Sequence, residues 1–207
     1  MITRLRRGHY LPGPTLRQLA NSHSLNHILI AIGRPVVKRL ARRTGCTAHL
    51  GVFEDGMVTY LVKAGRGRGT IFTREGTQLE AYCTGIGKVL LAGLTKSALE
   101  QYLAQGPFVR LTANTVTDAQ ALRAELKKVY VRGYAIDDAE MDTNLTCLAA
   151  PIYDSERRII AAVSISKRQG PVRPKRLMAH LESLQDAVVE VGRRLAPPCK
   201  DALARGR

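Results

Sequence analysis

Thr84-Gly85-Ile86-Gly87-Lys88, opening the apolar run Val89-Leu90-Leu91-Ala92 and closed by Gly93, is the stretch on which the reading of the chain turns. It follows the polar segment Leu79-Glu80-Ala81-Tyr82-Cys83 and reads as a loop entering a helix. Glycines 85 and 87 have no Cβ, so another group can approach the backbone closely there. The first N–H groups of a helix lack partners within it and carry partial positive charge, which suits a carboxylate or a phosphate. The alternative is a plain helix start, with Thr84 as N-cap and glycines for tight packing. A Walker-type nucleotide loop is disfavoured, because Gly87-Lys88 is followed by Val89 and Tyr82 stands where the first glycine is needed.

Before this stretch, CTAHLGVFED and MVTYLVKA are β-rich runs joined at Asp55-Gly56, a strong hairpin signal. Gly65-Arg66-Gly67-Arg68-Gly69 is a basic loop, either a solvent-exposed turn or a phosphate contact, and Thr70–Arg74 reads as another strand. Earlier still, Leu25, Leu29, Ile32, Val36 and Leu40 mark one face of a helix from about Thr15 to Arg43. Pro35 is expected to kink this helix or begin a second one, and Gly45 to cap its end. His23 and His27 lie one turn apart, a spacing that can hold a metal. No nearby Cys or carboxylate completes the set, so a solvated helix face and no metal are expected.

After the central stretch, Thr95–Gln105 reads as a helix and Pro107–Asn114 as a loop. Thr117 or Asp118 caps a helix running to about Arg132, which Gly133 ends. Tyr134–Asp137, Leu145–Tyr153 and Arg158–Lys167 read as strands, with polar connections at 138–144 and 154–157. Pro174 opens a last helix to about Ala196. Antiparallel hairpins interrupted by helices make an α+β fold, and the two terminal helices invite a layer on one face of the sheet.

A chain of 207 residues, 45% hydrophobic and 24% charged, can form one main domain with a small extension. No apolar run reaches bilayer length and no signal-peptide core follows Met1, so a cytoplasmic protein with no membrane contact is expected. Cysteines 46, 83, 147 and 199 have neither zinc-ligand nor thioredoxin spacing, and reduced thiols are the simplest reading. The net charge of +15 attracts polyanions, yet the basic residues are spread in short clusters, among them Arg4/Arg6/Arg7. A solvated basic surface and a nucleic-acid partner both fit this pattern.

Ser164 and Ser166 stand two apart in a strand and so share a face with Ala162, lining a polar pocket or a half-wet sheet surface. Asp137 ends a strand, and Cys147 lies between Leu145 and Leu148. No nucleophile elbow surrounds either serine. Cys83 precedes a helix start, which can lower a thiol pKa, but no histidine stands near it in sequence. No catalytic residue is assigned.

Taken in order, these motifs resemble the effector-binding half of IclR-type transcriptional regulators. The resemblance runs through Leu40-Ala41-x-x-Thr44-Gly45-x-Thr47-Ala48-His49-Leu50, Tyr60-Leu61-Val62-Lys63 and Tyr82-Cys83-Thr84-Gly85-Ile86-Gly87-Lys88. It continues through Leu111-Thr112-x-Asn114-Thr115, Gly133-Tyr134-Ala135-Ile136-Asp137-Asp138-x-Glu140, Cys147-Leu148-Ala149-Ala150-Pro151-Ile152 and Ala161-Ala162-Val163-Ser164-Ile165-Ser166. It implies a GAF-like curved antiparallel sheet with helices packed on it, preceded by a linker helix. It also implies a small organic acid effector, no cofactor, and homodimers or tetramers. By position, the effector would meet the backbone N–H groups of Gly85 and Ile86 and the side chains of Asp137, Leu145, Cys147, Ser164 and Ser166.

The expected organisation is a wing-and-exit remnant of a winged helix-turn-helix at 1–14, a linker helix at 15–44, the effector domain at 45–198 and a tail at 199–207. Family members carry the winged helix-turn-helix ahead of this linker; here only MITRLRRGHYLPG resembles its end. DNA contact is therefore expected only through that region, with Arg4, Arg6 and Arg7 on phosphates. The alternative is a stand-alone small-molecule module acting on partner subunits. Glu80 stands where a proline is usual, and Asn144 replaces a usual glycine, a position where Asn tolerates left-handed backbone.

Overall fold

The computed structural model describes residues 2–4, 10–12, 14–65, 71–168 and 175–195, with side chains from residue 25 onward apart from Lys175. Ile2–Arg4 (β1) and Tyr10–Pro12 (β2) pair as a small antiparallel ribbon. They lead into Pro14–Thr44 (α1), a helix of 31 residues. Pro35 lies within this helix instead of restarting it. Pro35 and Ala31 are both exposed, so the carbonyl left without its N–H partner is open to water. Gly45, at φ +65, ends the helix with its N–H on the Ala41 carbonyl at 3.0 Å.

Thr47–Glu54 (β3) and Met57–Ala64 (β4) form a hairpin over Asp55 and Gly56. Both turn residues have positive φ, 52° and 81°, the geometry whose twist matches the flanking strands. A register shift leaves Leu61 unopposed, so Tyr60 and Lys63 both fall on the side of His49 and Gly51. Over the described residues 71–74 the strand expected at 70–74 does not form; the edge strand is Gln78–Glu80 (β5), paired with β4. The reason is visible in the backbone acceptors. The Lys63 ammonium donates to the Ile71 and Thr73 carbonyls, taking groups that a ladder would use.

Ala135–Asp138 (β6), Leu145–Tyr153 (β7) and Ile159–Arg168 (β8) complete a curled sheet of order β5-β4-β3-β8-β7-β6, antiparallel throughout. Alternation divides β8: Ala161, Val163 and Ile165 face one core, while Ala162, Ser164 and Ser166 face the other side. The first face carries α1 and Leu181–Leu195 (α6), whose Leu29, Val36, Leu40, Leu184 and Val191 pack on Leu50, Ile152 and Val163. Each such buried aliphatic side chain contributes about 1.5–3 kcal/mol. A Cβ on Gly33 would stand 2.6 Å from Leu50 Cδ1, so α1 lies close on β3.

Helices also cover part of the second face. They are Gly85–Ala92 (α2) and Ala119–Arg132 (α4), with Lys96–Leu103 (α3) between them in sequence. Asp118, not Thr117, caps α4 through a bond from Ala121 N–H at 2.8 Å, and Gly133 at φ +74 ends it. The last helix is broken: Lys175–Met178 (α5) is separated from α6 at residues 179–180, where His180 N–H turns back to the Leu177 carbonyl.

Candidate ligand-binding site

Two glycines seat α2, Gly87 against the segment that leads into it and Gly85 against the sheet. A Cβ on Gly87 would meet the Ala81 carbonyl oxygen at 2.1 Å, which no side chain tolerates. A Cβ on Gly85 would touch the Cβ atoms of Ala149 and Cys147 at 3.3 and 3.5 Å, so the first turn rests on β7. Thr84 caps the helix: its hydroxyl accepts from Gly87 N–H at 3.1 Å and donates to the Glu80 carbonyl at 3.0 Å. The N–H groups of Gly85 and Ile86 have no acceptor within the helix.

Beneath that turn the sheet supplies polar groups in rows. Asp137 stands opposite Cys147, Cys147 opposite Ser166, and Ser166 opposite Thr47. Two residues along, on the same face, Ala149 stands opposite Ser164 and Ser164 opposite His49. All seven residues expected at an effector site border one mostly enclosed pocket: Gly85, Ile86, Asp137, Leu145, Cys147, Ser164 and Ser166. Its cavity volume is only about 10 Å³, so the lining side chains nearly fill it and an occupant must push part of the wall aside. Ser164 and Ser166 are each 3% exposed, so this face is a pocket floor rather than a half-wet surface.

The pocket also has members outside the effector-site set expected from sequence: His49, Tyr60, Ile71, Phe72, Thr73, Leu79, Thr84 and Met141. His49 was legible in principle, since it shares a strand face with Gly51 over the same side of the sheet. Its Nε2 lies 2.8 Å from the Thr73 hydroxyl, its ring meets Tyr60 edge-on, and Nδ1 has no hydrogen-bond partner. Burial, helped by the Lys63 charge, lowers its pKa to about 3, so the ring is neutral at physiological pH.

Asp137 is 1% exposed. Its Oδ1 accepts from Glu140 N–H at 2.8 Å, while Oδ2 has no N–H or O–H partner and lies near the Cys147 thiol. Burial raises this carboxyl to about 7, against the pull of the Glu140 N–H and the Lys88 charge. Lys88, buried at the second turn of α2, donates to the Glu140 carboxylate and the Ile136 carbonyl. The lysine that resembled part of a phosphate loop is thus a buried structural cation.

Cys83 sits before a helix start, which favours a thiolate, yet burial outweighs that effect. The thiol is raised to about 12 and donates to Met141 Sδ at 3.5 Å. Cys147 is likewise raised by burial beside Asp137. Neither is poised as a nucleophile. Asn144 does not use the left-handed backbone foreseen for it; in its loop that conformation falls on Ala139, at φ 57. Asn144 N–H is instead held by the Asp142 carboxylate at 2.9 Å. The side chains of Arg4, Arg6, Arg7 and His23, and residues 66–70 and 199–207, lie outside the described residues. His27 is exposed, and among the described residues no cluster of His, Cys, Asp or Glu can hold a metal.

The family model described as "Bacterial transcriptional regulator IclR C-terminal" matches residues 22–193. The chain belongs to the IclR family. It is 35% identical over 195 residues to the HTH-type transcriptional regulator BhcR of Paracoccus denitrificans, covering 92% of this chain and 68% of that protein. The IclR structure from Thermotoga maritima aligns with TM-score 0.73 at 30% identity, over 94% of this chain and 79% of the other. An IclR homolog from Microbacterium hydrocarbonoxydans, solved in complex with 4-hydroxybenzoate, aligns with TM-score 0.75 at 27% identity, over 94% of this chain and 79% of the other. The chain spans from 55% to 68% of the length of the first four curated relatives that it matches. These relatives are named transcriptional regulators, and residues 22–193 of this chain are the IclR C-terminal domain. Among the described residues no helix is long and apolar enough to cross a membrane.

Proposed function

We propose that the pocket under α2 binds a small organic acid carrying a hydroxyl or carbonyl group, and that occupancy governs transcription through the placement of DNA-binding parts. The observation that carries this reading is the union of opposite chemistries in one enclosed space. Two helix-start N–H groups suit a carboxylate, while the buried Asp137 keeps an oxygen that receives no N–H or O–H and has only the weak Cys147 thiol donor beside the carboxyl. The carboxylate belongs at Gly85 and Ile86, and the hydroxyl belongs at Asp137. Ser164 and Ser166 serve the atoms between.

Electrostatics select against a second carboxylate. Two such charges about 5 Å apart repel by about 3 kcal/mol at an effective dielectric constant of about 20. A dicarboxylate therefore binds only with a proton taken up at Asp137, whose pKa of about 7 makes that uptake inexpensive near neutrality. A hydroxyl donates to the ionised form, and a ligand carbonyl accepts from the protonated form. The likeness to the homolog solved with 4-hydroxybenzoate, a hydroxy acid, supports this choice. Homodimers or tetramers, DNA contact through the N-terminal region and a cytoplasmic setting complete the proposal. In it, the β1–β2 ribbon is the last part of a wing and α1 is the linker.

The test is a thermal-shift panel of hydroxy acids, keto acids and plain dicarboxylates. A ligand present at 100 times its Kd adds about 2.7 kcal/mol. For a chain of this size that raises Tm by about 5–10 °C. Hydroxy or keto acids are expected to do this with the wild type and to fail with Asp137→Asn combined with Ser164→Ala. A panel in which only plain dicarboxylates bind, without proton uptake, overturns the reading.

A further inference from the structure

We propose that residues 71–75 form a strap that reports pocket occupancy to α1, with Arg34 as the positioning residue at its outer end. This deepens, and rests on, the ligand-pocket reading above.

The inner end of the strap is pocket wall. Ile71 and Thr73 are buried there, and Thr73 holds His49 on the floor through the 2.8 Å contact with Nε2. The middle is fastened by one flexible group. The Lys63 ammonium reaches the Ile71 carbonyl at 2.7 Å and the Thr73 carbonyl at 2.5 Å. The outer end is tied to the linker helix. Glu75 takes a two-pronged bond from the Arg34 guanidinium at 2.7 and 2.9 Å, and one Glu75 oxygen also accepts from Lys63 N–H at 3.1 Å. Arg34 follows Gly33, where α1 presses closest on β3.

The strap is also the wall held by side-chain ties instead of a strand ladder. The floor is a six-stranded ladder, and α2 is seated against the Ala81 carbonyl. The strap has no ladder partner, and Thr73 lines both the pocket and an open groove that carries Lys38, Arg42 and Arg74. Because the pocket space is thin, an occupant displaces the wall that yields most readily. A paired guanidinium and carboxylate hold a fixed relative geometry, so displacement at Thr73 reaches α1 through Glu75 and Arg34. Coupling of this kind is reciprocal: cutting the outer tie must alter the pocket.

The test uses the full chain with Arg34→Gln, and Arg34→Lys as the conservative variant. Hydrogen exchange is followed at 71–75 and 30–38, and the His49 ring nitrogens by 15N NMR, assigned by their loss in His49→Gln. Without ligand, Arg34→Gln is expected to speed exchange at 71–75 about two- to fivefold and to move the His49 Nε2 resonance, with Arg34→Lys partly restoring both. With 4-hydroxybenzoate as the probe, the wild type gains protection at both segments, and Arg34→Gln gains it only at 71–75. If Arg34→Gln leaves His49 and the 71–75 exchange unchanged, the strap is overturned whatever the ligand. Protection of 30–38 that persists in Arg34→Gln also overturns it. If 4-hydroxybenzoate alters nothing in the wild type while the ligand-free arms respond as expected, the tie stands and the failure belongs to the ligand reading for this acid.

Discussion

Replacing Asp137 with Asn removes a buried carboxyl while keeping an oxygen for the Glu140 N–H, so the change isolates one titration. In the fold this carboxyl ionises at about 7, against about 3.9 for an ordinary aspartate. A group with a raised folded pKa holds its proton more tightly in the native state. Its contribution to stability is present in full below pH ~4 and is lost as pH rises through ~7. A gap of about three pH units corresponds to a total of about 4 kcal/mol. His49 works in the opposite sense: its folded value of about 3 lies below the unfolded value, so stability falls as pH drops below ~6.5. Glu140, raised by burial, adds to the Asp137 trend, and Lys88 opposes it by favouring both carboxylates. All of these remain in the variant and cancel to first order in the difference. Urea unfolding of both proteins between about pH 4.5 and 8.5 therefore gives a clean readout. Asp137→Asn is expected to gain on the wild type by up to about 1.4 kcal/mol per pH unit, levelling off above pH ~7.5. A difference that stays flat across this range refutes the burial argument for Asp137.

Three further outcomes follow from the same geometry. Lys88→Met leaves the Glu140 carboxylate buried without its cation and is expected to cost about 3–5 kcal/mol by urea unfolding, with Glu140→Gln in the same chain recovering part of it. Ser164→Ala and Ser166→Ala are expected to change stability by less than about 1 kcal/mol each, yet to weaken binding of a hydroxy acid by about five- to twentyfold in calorimetry. Cys83 and Cys147, both buried with raised thiol pKa values, are expected to resist a thiol reagent at pH ~7.5 until urea unfolds the chain, as read by mass spectrometry of the labelled peptides.

What could be read from sequence was local. The Asp55-Gly56 turn, the Gly45 and Gly133 helix ends and the alternation through 162–166 each follow from neighbours along the chain, and each stands in the fold. Thr84 was legible as a cap because its oxygen serves an N–H three residues on. No strand forms at 71–74, where the Ile71 and Thr73 carbonyls are claimed by Lys63, from another element. Of the two outcomes open to Pro35, a kink or a new helix, the new helix does not occur: solvent can serve the freed carbonyl, which depends on which side of the helix faces the sheet. Lys88 and Glu140 were both in quoted motifs, but no spacing along the chain announces a pair 52 residues apart. The pocket residues were assembled by family resemblance. The pairings of β6 with β7, and of β8 with β7 and β3, explain why those residues meet. The contact between Thr73 and His49 is not legible in sequence because it joins a strand to a segment without regular structure.

The most direct measurement of the central claim is a 15N amide titration with the acid that raises Tm most in the panel. Gly85 and Ile86 amides are expected to move furthest, together with Asp137, Cys147, Ser164 and Ser166, all with one Kd. If that acid instead shifts Lys38, Arg42 and Arg74 in the open groove and leaves the start of α2 untouched, the pocket under α2 is not where this protein senses its effector.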